Sequence, residues 1–123
     1  MTDINNYSNN ALLVHIDNSP IEISNSKEEF CDLARSANIK FKDIIYLTKK
    51  NKNIGIRYYI GKGDVSLIEK EVRKTGRKLV IFNVDLSPTQ ERNLENLLSA
   101  RVLDRTGLIL DIFSQYLTIK SEN

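Results

Sequence analysis

The fold is decided by one stretch of the sequence, Ala11-Leu12-Leu13-Val14-His15-Ile16. The stretch contains no alternation of apolar and polar residues, and the turn-forming Asp17-Asn18-Ser19-Pro20 follows it at once. Strands that face water on one side alternate, whereas strands covered on both faces are continuously apolar. The stretch therefore predicts a buried strand with helices on both of its sides.

Strands and helices alternate along the rest of the chain. Strand-like runs occur at residues 43–48, 78–82 and 101–103, and 58–60 reads as a short extended piece. Helical periodicity begins at a capping box formed by Ser26 and Glu29, at Asp64, at a second box with Ser87 and Gln90, and after the turn 104–107. Asn38 and Gly76 are the predicted stops of the first two helices. This alternation predicts an α/β fold with a small, mostly parallel four-stranded sheet and helices on both faces.

Length and composition limit the class of protein. The chain has 123 residues, which suits one domain with its own core, and its single cysteine excludes a disulfide framework. It has no apolar run of the roughly 20 residues that cross a bilayer, and no signal peptide opens it. We expect a cytoplasmic single-domain protein without a membrane span. Its polar, Asn-rich residues 1–10 are expected to form a disordered lead-in.

Positive charge is concentrated in the middle of the chain. Residues 31–78 contain thirteen Lys and Arg against five Asp and Glu. The basic stretch 49–62 also contains two tyrosines, a combination compatible with RNA backbone contact and base stacking. An ordinary solvated surface explains the same composition, so the two interpretations stay open.

Four polar loops follow the predicted strands, at the sheet edge where ligands of open parallel sheets usually bind. One of them is Gly61-Lys62-Gly63, which precedes a helix and could hold a phosphate on free backbone N–H groups. The spacing matches neither a P-loop nor a dinucleotide fingerprint, and a tight turn that needs glycine explains the same residues.

The other reactive side chains have structural interpretations. His15 is the single histidine, lies in the core strand and is expected to be structural, and Cys31 is expected to be a small core residue. Asp85 and Asp104 could act as acid and base, but each also suits capping the helix that follows. No Cys/His cluster has metal-ligand spacing. The sequence therefore predicts no catalytic and no metal site.

Three motifs in fixed order identify a family resemblance. They are Tyr58-Tyr59-Ile60-Gly61-Lys62-Gly63, Leu86-Ser87-Pro88-Thr89-Gln90-Glu91-Arg92-Asn93-Leu94-Glu95 and Asp104-Arg105-Thr106-Gly107-Leu108-Ile109-Leu110-Asp111-Ile112-Phe113. Together they resemble the N-terminal domain of the HflX family of ribosome-associated GTPases, over about residues 11–115.

The resemblance implies an α/β N-terminal domain that associates with the large ribosomal subunit and its rRNA. For complete family members it also implies GTP and Mg²⁺ as cofactors, and GTP hydrolysis coupled to splitting of stalled ribosomes under stress. The residues of the matching motifs that we expect at the ribosomal contact are Lys62, Ser87, Gln90, Arg92, Asn93, Asp104 and Arg105.

The resemblance stops abruptly after Gln115, where the family continues with Arg-Ala and a long helical segment. Residues 116–123 are therefore expected to be a divergent tail on a truncated protein that lacks the GTP-binding domain and is no GTPase by itself. Two alternatives stay open: binding of ATP or GTP through Gly61, Lys62 and Gly63, or an inactive product of a degenerate gene. The apolar surplus around Ile112, Phe113, Tyr116 and Leu117 should be partly exposed and favour self-association.

Overall fold

A computed structural model describes residues 11–17, 23–48 and 57–121 of the chain. The predicted lead-in 1–10, residues 18–20 of the turn predicted at 17–20 and the basic loop 49–53 lie outside these residues, whereas Asp17 is the last residue of the first strand. The elements follow one another in the order β1 (Ala11–Asp17), α1 (Ile23–Ser36), β2 (Phe41–Thr48), α2 (Lys62–Thr75), β3 (Leu79–Phe82), α3 (Pro88–Leu98), β4 (Arg101–Leu103) and α4 (Arg105–Ser121).

The four strands form one sheet in the order β2-β1-β3-β4, and every neighbouring pair is parallel. Strand β1 lies at the centre, with Leu13 opposite Ile44 of β2 and Ile81 of β3. The α/β fold class and the small parallel sheet are thus confirmed.

The central strand separates two hydrophobic cores. Leu12, Val14 and Ile16 point to the side of α2 and α3, where they pack in one cluster with apolar residues of both helices. Ala11 and Leu13 point to the side of α1 and α4 and belong to the second cluster. Residues 11–14 are each fully buried, which confirms the expectation of a strand covered on both faces.

The helix signals at Ser87, Asn38 and Gly76 are confirmed. The backbone N–H of Gln90 donates to Ser87 Oγ at 3.1 Å, and the N–H of Ser87 donates to Gln90 Oε1 at 3.0 Å. Pro88 is the first helical residue, where its missing N–H is not needed. Asn38 and Gly76 adopt left-handed φ angles of 60° and 68° after α1 and α2.

Two helix starts differ from the predictions. Helix α1 begins at Ile23, so Ser26 lies inside the helix and the predicted capping box is wrong. Helix α2 begins at Lys62 rather than Asp64, and Gly61 is its N-cap. Helix formation propagates cooperatively once the apolar face is packed, so the local cap residue does not by itself set the first turn.

The extended piece predicted at 58–60 is also wrong, because these residues form a turn with Tyr59 at φ 75°. Ile60 is buried in the core, and Tyr58 and Tyr59 pack against the same cluster. Burial of Ile60 and partial burial of the two tyrosines stabilise a turn that backbone preference alone would disfavour.

Helix α4 begins within the turn predicted at 104–107 and is continuous across the predicted boundary between Gln115 and Tyr116. Gln115 holds it against the end of α1: its Nε2 donates to the carbonyl of Ala37 at 2.8 Å, and its Oε1 accepts from Asn38 at 3.1 Å. Helix α4 is therefore anchored to the end of α1 next to the predicted boundary.

Candidate functional site

The carboxyl edge of the sheet is organised around Asn83, the first residue after β3. Its Oδ1 accepts the backbone N–H of Ile16 at 2.7 Å, and its Nδ2 donates to the carbonyl of Ile16 at 3.0 Å. The side chain thereby pairs with β1 as a further strand residue would. Its position directly after a continuous apolar strand is the signal that could have singled it out in the sequence.

Asp85 and Asp104 both serve to begin helix α4. Asp85 Oδ1 accepts from the backbone N–H and the hydroxyl of Thr106, at 3.0 Å and 2.6 Å. Asp104 accepts from the N–H of Gly107 at 2.8 Å and from the N–H of Leu86 at 3.1 Å. The capping interpretation is confirmed for Asp104, which precedes α4, but not for Asp85, because α3 follows Asp85 and is capped by Ser87. Asp85 instead binds the first turn of α4, so the two carboxylates join the loops after β3 and β4 into one unit.

Gly107 is needed at this junction because the chain passes close to β4. A Cβ added there would lie 2.9 Å from Leu103 Cδ1 and 3.2 Å from Asp104 Oδ1. No other residue fits without displacing the side chains that pack and cap the start of α4.

Besides Asp104, four of the predicted contact residues have structural partners. Ser87 and Gln90 form the capping box of α3, and Asn93 Nδ2 donates to the carbonyl of Arg57 at 3.1 Å. Asn93 therefore ties α3 to the turn that leads into α2. Arg105 donates to Glu29 Oε1 at 2.8 Å, which links the start of α4 to α1.

The two remaining predicted cations, Lys62 and Arg92, are exposed. Within the described ranges, neither forms an ion pair with a carboxylate. Lys62 is the first residue of α2 and Arg92 lies in the second turn of α3. The Lys62 ammonium and the Arg92 guanidinium are therefore open to solvent. A partner can bind either group without first breaking an ion pair.

The loop Gly61-Lys62-Gly63 does not need its glycines for backbone conformation. Gly61 is extended, with φ −75° and ψ 167°, and positive φ falls on Tyr59 instead. A Cβ at Gly61 or Gly63 would meet nothing within 4 Å. The explanation by a glycine-dependent tight turn is therefore wrong. The first turn of α2 has no side-chain hydrogen bond at its N-cap.

Glu91 is a titrating group on this side of the molecule that the sequence did not single out. Burial, followed by the nearby carboxylates of Asp104 and Glu95, raises the pKa of the Glu91 carboxyl. Glu95 itself accepts from the N–H of Val102 at 3.0 Å and so fixes the start of β4. The spacing of four residues on one helix predicts that Glu91 and Glu95 are neighbours. It does not predict that Val102 of β4 and Asp104 lie beside them.

His15 and Cys31 have the structural roles that the sequence predicted. The His15 side chain is 1% exposed and lies with its ring centroid 6.0 Å from those of both Phe30 and Tyr46. Burial lowers the pKa of His15 and raises the pKa of the Cys31 thiol. Cys31 packs against the second core, which is the environment of a small structural residue rather than a nucleophile.

Metal and membrane sites were also sought. In the ranges that the structure describes, no group of three or more His, Cys, Asp or Glu side chains could hold a metal ion. Over the same ranges, no helix has the length and apolar character needed to span a bilayer.

The outer side of α4 is apolar and exposed. Leu110, Phe113, Tyr116 and Leu117 are exposed by 61%, 60%, 53% and 61%. Ile112, which the sequence placed in the exposed set, instead packs against the second core because it lies on the opposite side of the helix. The prediction of an exposed apolar surface is confirmed, with Leu110 in place of Ile112.

Comparison with known proteins identifies a family for this arrangement. Residues 24–114 match the family model described as GTP-binding GTPase N-terminal. The chain is 43% identical over 105 residues to the GTPase HflX of Escherichia coli, and 41% identical over 105 residues to that of Caldanaerobacter subterraneus. Each alignment covers 85% of this chain and 24% of the relative. The chain thus spans about a quarter of the length of these relatives, and the resemblance drawn from its motifs is confirmed.

Solved structures share the fold. A GTP-binding protein of the archaeon Sulfolobus solfataricus in complex with GDP matches with a TM-score of 0.61 at 24% identity, covering 86% of this chain and 30% of that one. A second structure, of SsGBP in complex with GDP, gives a TM-score of 0.65, covering 87% of this chain and 29% of that one. At this identity the match concerns the fold alone.

Proposed function

This chain belongs to the GTP-binding GTPase N-terminal family, and on that premise we propose that it binds the RNA of the large ribosomal subunit. The observation that carries the proposal is the match over residues 24–114, together with 43% identity to a GTPase HflX. The resemblance of the three sequence motifs to this family implies the large ribosomal subunit as the partner.

The exposed cations of the predicted set support this proposal. Lys62 and Arg92 lie on α2 and α3, which cover the same face of the sheet. Most protein contacts to nucleic acids go to phosphate oxygens, and Lys and Arg supply many of them. Ser87, Gln90, Asn93, Asp104 and Arg105 act indirectly, because they fix the loops and helix starts around these cations.

GTP hydrolysis is not part of the function that we propose for this chain by itself. Its sequence contains no G-x-x-x-x-G-K-[S/T] phosphate-binding loop, the device that holds nucleotide and Mg²⁺ in P-loop enzymes. Splitting of stalled ribosomes under stress, with GTP and Mg²⁺ as cofactors, is the activity implied for complete family members. For this chain the proposal is restricted to binding in the cytoplasm.

Co-sedimentation with purified large ribosomal subunits tests the proposal. We expect the chain to pellet with the subunits at low salt and to be released as salt is raised. The charge reversal Arg92→Glu should weaken binding several-fold. Arg35→Glu, a matched reversal of an exposed arginine on the other face, should leave binding unchanged. Absence of the chain from the pellet at low salt would overturn the proposal.

Nucleotide binding by the chain itself is the second candidate, and one observation favours it. The first turn of α2 has no side-chain cap, Lys62 is exposed, and neither Gly61 nor Gly63 has a side chain that would cover its backbone N–H. Equilibrium dialysis with labelled ATP and GTP tests this candidate. Retention of either nucleotide, lost in Lys62→Gln, supports it, and equal concentrations on both sides of the membrane exclude it.

Self-association through α4 completes the proposal, with a second copy of this chain as the partner. The residues Leu110, Phe113 and Leu117 recur at the spacing of a helix–helix contact and are all exposed. Between Arg105 and Lys120 the helix has one charged residue, Asp111, whose carboxylate accepts from Gln115 on the inner side at 2.8 Å. Two such faces can meet around a twofold axis without burying a charge.

A further inference from the structure

Helix α2 presents a row of lysines to solvent. Lys62, Ser66, Lys70 and Lys74 follow one another at intervals of four residues and are all exposed. Residues four apart form a continuous ridge on a helix surface. We call these four residues the lysine ridge. From Lys62 to Lys74 the ridge extends along the axis for about 18 Å at 1.5 Å per residue.

The exposed charges of α2 all have the same sign. Lys62, Lys70, Arg73 and Lys74 are exposed, whereas the acidic residues Asp64, Glu69 and Glu71 are partly buried. Arg73 is paired with Glu69 at 2.9 Å. Within the described part of the chain, the lysines of the ridge form no ion pair. Three ammonium groups are thus available to an anionic partner.

The opposite side of the molecule has exposed charges of both signs. Glu28, Glu29 and Asp32 are exposed on α1, which packs on the other face of the sheet, but Glu29 pairs with Arg105 and Asp32 with the exposed Arg35. A polyanion is attracted to the surface where positive charge is concentrated. That surface is the side of α2 rather than the side of α1.

We propose that the lysine ridge binds the phosphate backbone of an RNA duplex. This inference takes its partner, RNA, from the proposed function. The surface that it names is new, because Lys62 is the only residue of the ridge that belongs to one of the three sequence motifs. The exposed residues of α2 contain no aromatic side chain, so a single strand would find no stacking platform here. Lysines that contact the phosphates of a regular duplex backbone need no aromatic side chain beside them.

Two other polyanionic or acidic partners fit the ridge less well. A lipid surface takes up the apolar face of a basic helix, but Val65, Ile68 and Val72 of α2 are buried against the sheet. Leu67 is the single large apolar side chain that α2 exposes, at 50%, and one side chain does not make an apolar face. Protein interfaces are depleted in lysine, whereas phosphate contacts use it. RNA is the partner whose binding requires cations but no insertion of apolar side chains.

Binding of a fluorescent 20-base-pair RNA duplex, measured by anisotropy over a salt series, tests the inference. The double variant Lys70→Gln/Lys74→Gln should weaken binding about tenfold at low salt and lower the slope of log K against log salt by about two. The slope changes because two phosphate contacts, each of which releases a counterion, are lost. Lys70→Arg/Lys74→Arg should retain wild-type binding.

The matched control removes two lysines elsewhere. Lys40 and Lys42 are exposed around the start of β2, and Lys40→Gln/Lys42→Gln gives the same change in net charge. An equal loss in this control, or an unchanged slope in the ridge variant, would overturn the inference. The inference would also be overturned if the ridge variant lost binding to phosphatidylserine vesicles but still bound the RNA duplex as the wild type does. Thermal unfolding of each variant checks the fold, and Lys74→Gln alone replaces the double variant if that variant unfolds.

Sedimentation with large subunits separates this inference from the proposed function. If the wild-type chain binds subunits and the ridge variant binds them equally, the function stands and the ridge assignment fails. If the chain binds the duplex through the ridge but not the subunits, the ridge stands and the ribosomal partner is wrong.

Discussion

Asn83 pairs with Ile16 through two hydrogen bonds, of 2.7 Å and 3.0 Å, in which the side-chain amide replaces a strand backbone. The pair connects β1 to the loop that leads into the capping box of α3. Asn83→Ala should lower the free energy of unfolding by about 1–3 kcal/mol, because the partly buried N–H and C=O of Ile16 lose their partners. Urea unfolding measures the change.

Asn83→Asp distinguishes the two bonds. The carboxylate can still accept from the N–H of Ile16, but it cannot donate to the carbonyl and repels it. This variant should therefore be at least as destabilised as Asn83→Ala at pH 7 and should recover in part when the carboxyl is protonated. Stability of both variants equal to that of the wild type would contradict the role assigned to Asn83.

Two glycines of the helices should respond to alanine in opposite directions. Gly107→Ala places a Cβ 2.9 Å from Leu103 Cδ1 and should destabilise the protein by about 1–3 kcal/mol. Gly63→Ala meets nothing within 4 Å inside the first turn of α2 and should stabilise it by about 0.4–1 kcal/mol. Thermal unfolding of the two variants side by side measures the difference, and the same sign for both would contradict it.

The architecture could be predicted because it depends on patterns within single segments. The unbroken apolar run at Leu12 and Leu13 specified a covered strand, and the capping box at Ser87 specified a helix start. Helix starts without a strong cap, such as Ile23, could not be located because packing of a whole apolar face decides them.

The side chains around the candidate site could be predicted only in part, because their partners lie far away in sequence. The same holds at the amino edge of the sheet, where Arg77 follows the end of α2 and is 5% exposed. Its Nη1 donates to the carbonyl of Ala11 at 2.9 Å, and it forms an ion pair with Asp43. These three residues are far apart in sequence, and the pairing of parallel strands brings them to the same edge of the sheet. No local sequence pattern predicts that contact.

The stability of the protein should depend on the ionisation of His15. Burial lowers the pKa of His15 below its ordinary value of 6.5, with Asp17 opposing the shift and Lys27 adding to it. The unfolded chain therefore binds a proton more readily than the native one. The free energy of unfolding should be highest above about pH 6.5 and fall as the pH decreases toward the native pKa.

His15→Leu isolates this contribution, because the chain has no other histidine. Leucine keeps an apolar side chain in the contact with Phe30 and removes the titrating group. Chemical unfolding between about pH 7.5 and pH 5.5 should then no longer show a decline toward low pH, since most carboxylates titrate below that range. Glu91, whose pKa burial raises, changes the stability in the opposite direction, because its native form binds the proton more readily than its unfolded form. A decline as steep as that of the wild type would show that His15 is not the source.

The exposed face of α4 should make the protein self-associate at high concentration. Leu110 and Leu117 are each 61% exposed, and burying both against a second copy contributes a free energy of about 2 kcal/mol or more. Leu110→Ser/Leu117→Ser should therefore weaken the dimer at least tenfold in sedimentation velocity. Leu67→Ser, at a half-exposed leucine of α2, is the matched control and should leave the dimer intact. A wild-type chain that sediments as a monomer at about 0.5 mM, well above the Kd of even a weak specific dimer, would exclude association through this face.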